Sequence, residues 1–294
     1  MAWGPNLTGI FRGSLGAYGI VTKLLRRIYP LNKFQDRMEI AFDDFTDCVI
    51  GMREVVKLGV CRQVYGLDQA QIAIIGAEPS LLTQPEEYWK FEQSLPKYLV
   101  IAKTNPHIEE QRNAYRKIVF AKAAEYKGRP VSFSGPTKKA LDIMEQGSSD
   151  MAVRYLRHNP HLMAFVQLPP SMLPGARERT LKILDKLDFH MTSFHNRVVP
   201  PRLWLSPWER NESWLMEQDI EFDPLDKASI DKFRKFMGIF FDEMADYGAS
   251  QINAAFLRRY EDRMMPSYIG MLKGIKKMLD PNDIFAPKQM FRDI

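Results

Sequence analysis

The sequence predicts an α+β fold in which helices pack on one face of a largely antiparallel β-sheet. Three observations carry that expectation. Strand-length apolar runs alternate with helical patterns along almost the whole chain. Several strand patterns alternate apolar and polar residues, so one sheet face meets something other than a continuous helical layer. The composition, 45% hydrophobic, 26% charged and 12% aromatic over 294 residues, is that of a globular chain long enough to bury about 75% of its unfolded surface without staples.

Taken in order, the elements read as follows. Gly13, Gly16 and Gly19 punctuate the opening segment, a spacing that lets backbone approach a ligand or another backbone closely. "GIVTKLLRRIYP" reads as a strand ended by Pro30. In "RMEIAFDDF", Met38, Ile40 and Phe42 fall on one face of a half-buried strand. "TDCVIGMREVVKLGV" is a helix with Gly59 near its end. "QAQIAIIGA" and "KYLVIAKT" are short apolar runs of strand length, separated by the helix "PEEYWKFEQSL". In the clearest helix, "HIEEQRNAYRKIVFAKAAEYKG", Ile108, Tyr115, Ile118, Val119 and Ala123 share one stripe. Asn105-Pro106 starts it and Gly128 stops it. "HLMAFVQLPP" is a strand, "ARERTLKILDKLDF" a helix, and "RVVPPRLWLSP" and "SWLMEQDIEFDP" are strands. A second strong helix, "PLDKASIDKFRKFMGIFFDEMADYG", turns Ile230, Phe233, Met237, Phe240, Phe241 and Met244 inward. "ASQINAAFLRRY" is the last strand and "PSYIGMLKGIKKMLDP" the closing helix. No internal repeat, low-complexity tract or Gly/Ser/Pro-rich linker is visible.

Charge and cysteine content exclude several classes. The net charge is +5, from 41 basic and 36 acidic residues, and the two signs are interspersed rather than gathered into a nucleic-acid-binding stripe. Cys48 and Cys61 make neither a disulfide framework nor a metal knuckle, and point to a reducing compartment. The first residues, "MAWGPNLTG", lack a charged region followed by an apolar run, so no signal peptide is read. No window approaches the length of a membrane span. The expected location is the cytoplasm.

The two ends of the chain are the most informative stretches. The opening "GSLGAYGIVT" and the closing "MLDPNDIFAPKQMF" resemble the vanillyl-alcohol-oxidase and para-cresol-methylhydroxylase family of FAD-linked oxidases. Gly13, Ser14, Gly16, Gly19, Ile20, Val21 and Thr22 match a G-S-x-G-x-x-G-I-V-T segment that ends the family's FAD-binding domain. Asp280, Pro281, Asn282, Ile284 and Pro287 match the closing D-P-N-G-I-x-N-P-G-K. Where the family has Asn, Gly and Lys, this chain has Ala286, Lys288 and Gln289. The order of the two motifs, and the cap-sized segment between them, carry more weight than either alone.

The resemblance implies three parts: residues 1–33 as the C-terminal remnant of an FAD-binding domain, 34–262 as a substrate-binding cap, and 263–294 as a helix and tail returning to the FAD-binding domain. It implies FAD as cofactor, contacted by Gly13, Ser14, Gly16, Tyr18, Gly19, Ile20, Val21 and Thr22. The family's glycine-rich pyrophosphate cradle has no counterpart in these residues, and one glycine turn does not supply the converging N–H groups that phosphates need. The expectation is therefore a partner polypeptide carrying the N-terminal FAD-binding half, with an electron-acceptor protein as a further partner and no membrane span.

By position, "INAAFLRRY" corresponds to the family strand that faces the flavin, which nominates Asn253, Arg258 and Tyr260 as catalytic residues. An Arg there would stabilise the anionic reduced ring, and a Tyr would bind or deprotonate an alcohol or phenol. Arg258 and Arg259 read equally well as a solvated pair at a strand end. His190 and His195 in "DFHMTSFHNR" lack the glycines and the acid of the family's H-G-D-G-N-x-H metal motif, so no metal is expected. His195 is also compatible with covalent flavin attachment or with an ordinary hydrogen-bonding role. The cluster Trp204, Trp208 and Trp214 lines an aromatic or hydrophobic pocket, packs the cap sheet against a helix or fills a subunit interface.

Two functions compete. One is a subunit of an FAD-dependent oxidoreductase supplying the cap and part of the flavin pocket. The other is a non-catalytic structural subunit that kept the cap fold and lost the flavin. A flavin-independent small-molecule-binding module is a third reading. Substrate, electron acceptor, mode of flavin attachment and subunit number stay open.

Overall fold

The computed structural model describes residues 8–11, 14–25, 28, 30, 32–146, 161–189, 200–208, 211–250 and 258–292. The chain divides into two compact units. One joins the two ends, Met1–Tyr29 with Ser250–Ile294; the other is Pro30–Ala249.

The larger unit is built on one seven-stranded antiparallel sheet of order β4-β1-β3-β2-β6-β7-β5. Its first half runs β1 (Asp36–Phe42), α2 (Phe45–Lys57), β2 (Cys61–Asp68), α3 (Gln69–Gly76), α4 (Pro85–Gln93), β3 (Tyr98–Thr104), α5 (Glu109–Ala124) and β4 (Arg129–Val131). The helix α6 (Gly135–Gln146) follows. The second half runs β5 (His161–Leu168), α7 (Leu173–Lys186), β6 (Arg202–Trp208), β7 (Ser213–Glu221) and α8 (Lys227–Asp246).

The strand order β4-β1-β3-β2, with α3 and α4 as an insertion, is that of a ferredoxin-like β-α-β-β-α-β unit. The second half repeats strand–helix–strand–strand–helix with order β5-β7-β6, and the equivalent strands β2 and β6 pair at Gly66–Leu205 and Leu67–Trp204. The sequence shows no repeat because such a topology demands only a matching pattern of buried faces, not matching residues.

Alternation along the strands separates two apolar layers. Met38, Ile40, Phe42, Val100, Ala102, Leu203, Leu205, Trp214 and Met216 join residues of α2, α5, α7 and α8 in the main core. On the opposite face a smaller cluster, Tyr65, Leu67, Leu99 and Ile101, lies under α3, α4 and α6. Phe42, 1% exposed, is held edge-on by two glycines: a β-carbon at Gly51 or Gly128 would lie 2.7 Å from its ring. Gly128 therefore serves close packing, while the left-handed position that ends α5 is taken by Lys127, at φ 64°.

Several expectations change. "QAQIAIIGA" is a helix, α3, not a strand. Asp68 caps it by accepting the Gln71 N–H at 2.9 Å, and its apolar residues show no helical period because Ile72, Ala73, Ile74 and Ile75 are all buried. β2, β4 and α6 are additional elements. In α5 only Val119 and Ala123 of the expected stripe are fully buried, and Ile108 and Ile118 are exposed. Phe236 joins Met237, Phe240 and Met244 inside α8.

The smaller unit contains α1 (Thr8–Phe11), a turn through Ser14–Gly19, a run Ile20–Leu25 that is neither helix nor strand, and α9 (Pro266–Leu279). No described helix is long and apolar enough to cross a membrane.

Candidate functional site

In the smaller unit the glycine turn is tied down from within. The Ser14 hydroxyl donates to the Phe11 carbonyl at 3.1 Å. Tyr18 is buried, packs edge-on against Phe11, and donates to the Leu272 carbonyl of α9 at 3.4 Å. Burial, with Tyr268 alongside, pushes the Tyr18 hydroxyl up to about 12. Gly16 and Gly19 adopt φ 80° and 136°, which L-residues rarely do, and the space before each α-carbon is open. Ile20, Val21 and Thr22 follow, all exposed. Gly13 lies outside the described residues.

The closing D-P-N motif builds a buried ion pair. Lys276, 1% exposed, donates to Asp280 and to the Phe285 carbonyl at 2.8 Å, with Asp283 at 3.1 Å. Asp280 also accepts the Ile284 and Phe285 N–H groups at 2.9 and 2.8 Å. Against the burial that would raise it, Lys276 and these N–H groups hold the Asp280 carboxyl below its usual range. The residues that depart from the family motif, Asp283, Ala286 and Lys288, have φ 49°, 43° and 57°. The turn that suits Gly and Asn is kept although those residues are gone.

Arg258 is exposed, and its carbonyl accepts from the Arg292 guanidinium at 3.1 Å. Tyr260 is buried, with the Arg263 and Arg259 guanidinium carbons 5.1 and 5.7 Å from its ring centre. Asn253, His190 and His195 lie outside the described residues.

The larger unit holds a polar cluster absent from the sequence reading. Period-two spacing on β7 puts Glu217, Asp219 and Glu221 on one sheet face. Arg202 of β6 is the register partner of Asp219, and its Nη2 lies 3.5 Å from Asp219 and 3.4 Å from Glu221. Arg202, Asp219 and Glu221 are all at least 95% buried. Desolvation pushes Glu217 and Glu221 up to about 7, and Asp219 up to about 6, against the pull of Arg202. Asp68 is raised by burial to about 6, opposed by Arg177 at 4.0 Å. Tyr88 of α4 feels Arg202, Glu221 and Asp68, and burial raises its hydroxyl far above the usual range. Buried carboxyls poised near neutrality can accept or release protons where a solvated carboxylate cannot. The signal was present as alternating acids in "WLMEQDIEF", a strand whose other face is apolar apart from Gln218.

The tryptophans do not form one pocket. Trp204 stacks on Tyr65 with ring centres 5.1 Å apart, on the face opposite the main core. Trp214 is buried in the main core and donates to Asn211 at 2.7 Å. Among the described residues, no group of three or more His, Cys, Asp or Glu is arranged to hold a metal ion.

No family model and no curated protein matches the sequence. Solved structures do. The 4-ethylphenol oxidase from Gulosibacter chungangensis, in its isoeugenol complex, superposes with TM-score 0.76 at 15% identity, over 99% of this chain and 59% of that one. p-Cresol methylhydroxylase with substrate bound gives TM-score 0.76 at 18% identity, over the same shares. The chain has the fold of the vanillyl-alcohol-oxidase and p-cresol-methylhydroxylase family. An alkyldihydroxyacetonephosphate synthase follows with TM-score 0.60 at 16% identity, over 97% of this chain and 49% of that one. The chain spans 59% or less of the length of these neighbours.

Proposed function

We propose that this chain is the cap-bearing part of an FAD-dependent oxidoreductase, and that the rest of the FAD site comes from outside these residues on a partner polypeptide. The observation that carries the reading is where apolar surface is exposed. Among the described residues, seven exposed large hydrophobics lie between Phe11 and Ile28 and seven between Met265 and Phe285, against five in the much longer larger unit. Such concentration of apolar surface marks a face that something covers. The portion of the neighbours' length with no counterpart here is the natural occupant.

The residues present fit one side of the cofactor. Open space before Gly16 and Gly19, followed by the exposed residues Ile20–Thr22, suits close approach to a flat group. The same turn provides too few converging N–H groups for a pyrophosphate. When bound, FAD would supply two-electron oxidation of a small molecule. In this chain Gly16–Thr22 would line it, while Arg258, Tyr260 and Asn253 are the candidates for orienting substrate and balancing charge. The Glu217–Asp219–Glu221 ladder would exchange protons within the cap.

A second reading, a structural subunit without flavin, is favoured by one observation: Ala286, Lys288 and Gln289 stand where the family motif has Asn, Gly and Lys. Co-expression with the adjacent reading frame, beside the chain alone, separates the two. Flavin absorbance in the co-purified complex and none in the chain alone supports the first. A colourless complex supports the second. Stoichiometric flavin in the isolated monomer overturns both, and an intact mass above that of 294 residues from the native source would place the missing half on the same polypeptide. In a flavin-loaded complex, unchanged reduction kinetics for Arg258→Ala would remove that residue from the candidates.

A further inference from the structure

In the smaller unit Arg292 directs its whole donor set at one short segment. Its Nε donates to the Arg258 carbonyl at 3.1 Å and its Nη2 to the Arg259 carbonyl at 2.8 Å, while Nη1 pairs with Asp262. Its backbone N–H donates to the Glu261 carboxylate at 3.1 Å. Among the described residues Arg292 bonds to nothing outside 258–262. A planar guanidinium bonded to two adjacent carbonyls fixes the main chain between them, which the point charge of a lysine does not.

Arg292 is held in place by more than that fork. Phe291 beside it is 1% exposed, with the Lys273 ammonium of α9 5.9 Å from its ring centre. Lys273 also pairs with Glu261, so α9 grips the same segment from a second side. Within the segment Tyr260 is buried and Glu261–Arg263 form a 3-10 turn. Arg258 differs from its neighbours. Its carbonyl is held, yet its guanidinium is exposed and has no partner among the described residues. A free charged head on a fixed main chain suits recognition of an anionic group, because the main chain is ordered before the anion arrives. The bonds of Arg292 are solvent-exposed and add little to global stability. Their effect is therefore local.

We propose that Arg292 is a positioning residue, which clamps the main chain at Arg258 and Arg259 so that the Arg258 guanidinium is presented in one fixed geometry. What Arg258 does there, balancing charge on the reacting group, rests on the flavin reading. The clamp itself rests on contacts made wholly within Ser250–Ile294.

Trypsin cuts at the two arginine carbonyls that Arg292 binds. Limited trypsinolysis of the purified chain, mapped by mass spectrometry, therefore reads the clamp without flavin. Arg292→Gln speeds cleavage after Arg258 and Arg259 about tenfold, the effect on local opening of losing the two carbonyl bonds. Arg292→Lys, which keeps the charge and loses the fork, does the same. Cleavage after Lys127, exposed in the larger unit, stays at the wild-type rate. In the flavin-loaded complex, at unchanged flavin content, Arg292→Gln and Arg258→Ala each slow flavin reduction, and the double variant is no slower than Arg258→Ala alone. Wild-type cleavage rates in Arg292→Gln overturn the proposal. So does an Arg292→Gln effect on reduction that is equally large with and without Arg258. A colourless complex fails the flavin reading and overturns the role given to Arg258, while the cleavage rates still decide the clamp.

Discussion

Replacing Arg202 by Met removes the one guanidinium that stands between Asp219 and Glu221. Both carboxyls are raised in the folded state, to about 6 and about 7, chiefly by desolvation. A raised folded value means the native state holds protons that the unfolded chain releases. The associated stability is present below about pH 4 and lost as pH rises through 6 to 7. For Glu221, a shift from 4.5 to about 7 corresponds to about 3 kcal/mol, and Arg202 is what keeps the loss from growing further. Without it, above pH 7 the fold must either retain those protons or bury carboxylates that have lost their guanidinium, at a cost of about 3–5 kcal/mol. At pH 5 the carboxyls are largely neutral and the Met fills much of the space, so the cost falls to about 1 kcal/mol. Urea unfolding followed by circular dichroism, on wild type and Arg202→Met at pH 5 and pH 8, reads the difference directly. Asp219→Asn with Glu221→Gln in the Met background should flatten the pH dependence. An Arg202→Met penalty of equal size at both pH values would show that the carboxyls are not titrating against the guanidinium, and the argument fails. Asp68, Tyr88 and Glu217 share the same field, so a midpoint displaced by them moves the window without changing its sign.

Other outcomes follow from backbone geometry and close packing. Lys288→Gly, at φ 57°, should raise stability by up to about 1 kcal/mol, since the strain it relieves exceeds the added freedom of the unfolded chain; an unchanged or lower melting temperature would count against strain at that turn. Gly175→Ala would place a β-carbon 2.3 Å from the Tyr247 hydroxyl and 3.1 Å from its ring. That substitution should cost about 1–3 kcal/mol and disturb Arg179, whose guanidinium lies 4.4 Å from the Tyr247 ring. Adding Tyr247→Phe should recover most of the loss, and failure to do so would place the clash elsewhere. Gly128→Ala, with its β-carbon 2.7 Å from Phe42 and 2.9 Å from the Ala123 carbonyl, should destabilise by a similar amount in thermal unfolding, whereas Gly135→Ala meets no atom and answers only to its φ of 55°.

Much of the fold was legible because its signals are local. Met38, Ile40 and Phe42 alternate in β1 and are all buried, and Asp44 caps α2 from the position before its apolar pattern starts. α3 was misread for a physical reason: a short helix covered on every side carries no period, and only the Asp68 cap distinguishes it from a buried strand. The glycine turn and the D-P-N turn were also visible, since their backbone demands are met by residues adjacent in sequence. The acidic ladder was not. Its three acids can be seen to alternate on β7, but nothing in that segment says that Arg202 arrives from β6 or that Tyr88 lies nearby on α4.

The sequence by itself determined most of the strands and helices, though not α3, β2, β4 or α6, along with many of their inward faces and the main turns, because periodicity, caps and turn residues act over a few neighbours. Only the tertiary structure decided that two unlike halves join through β2 and β6 into one sheet, that Asp283 and Lys288 hold a glycine's conformation, and that the β7 carboxyls sit near neutrality. Those outcomes depend on desolvation and on charges brought from distant parts of the chain, and such fields exist only once the elements have packed.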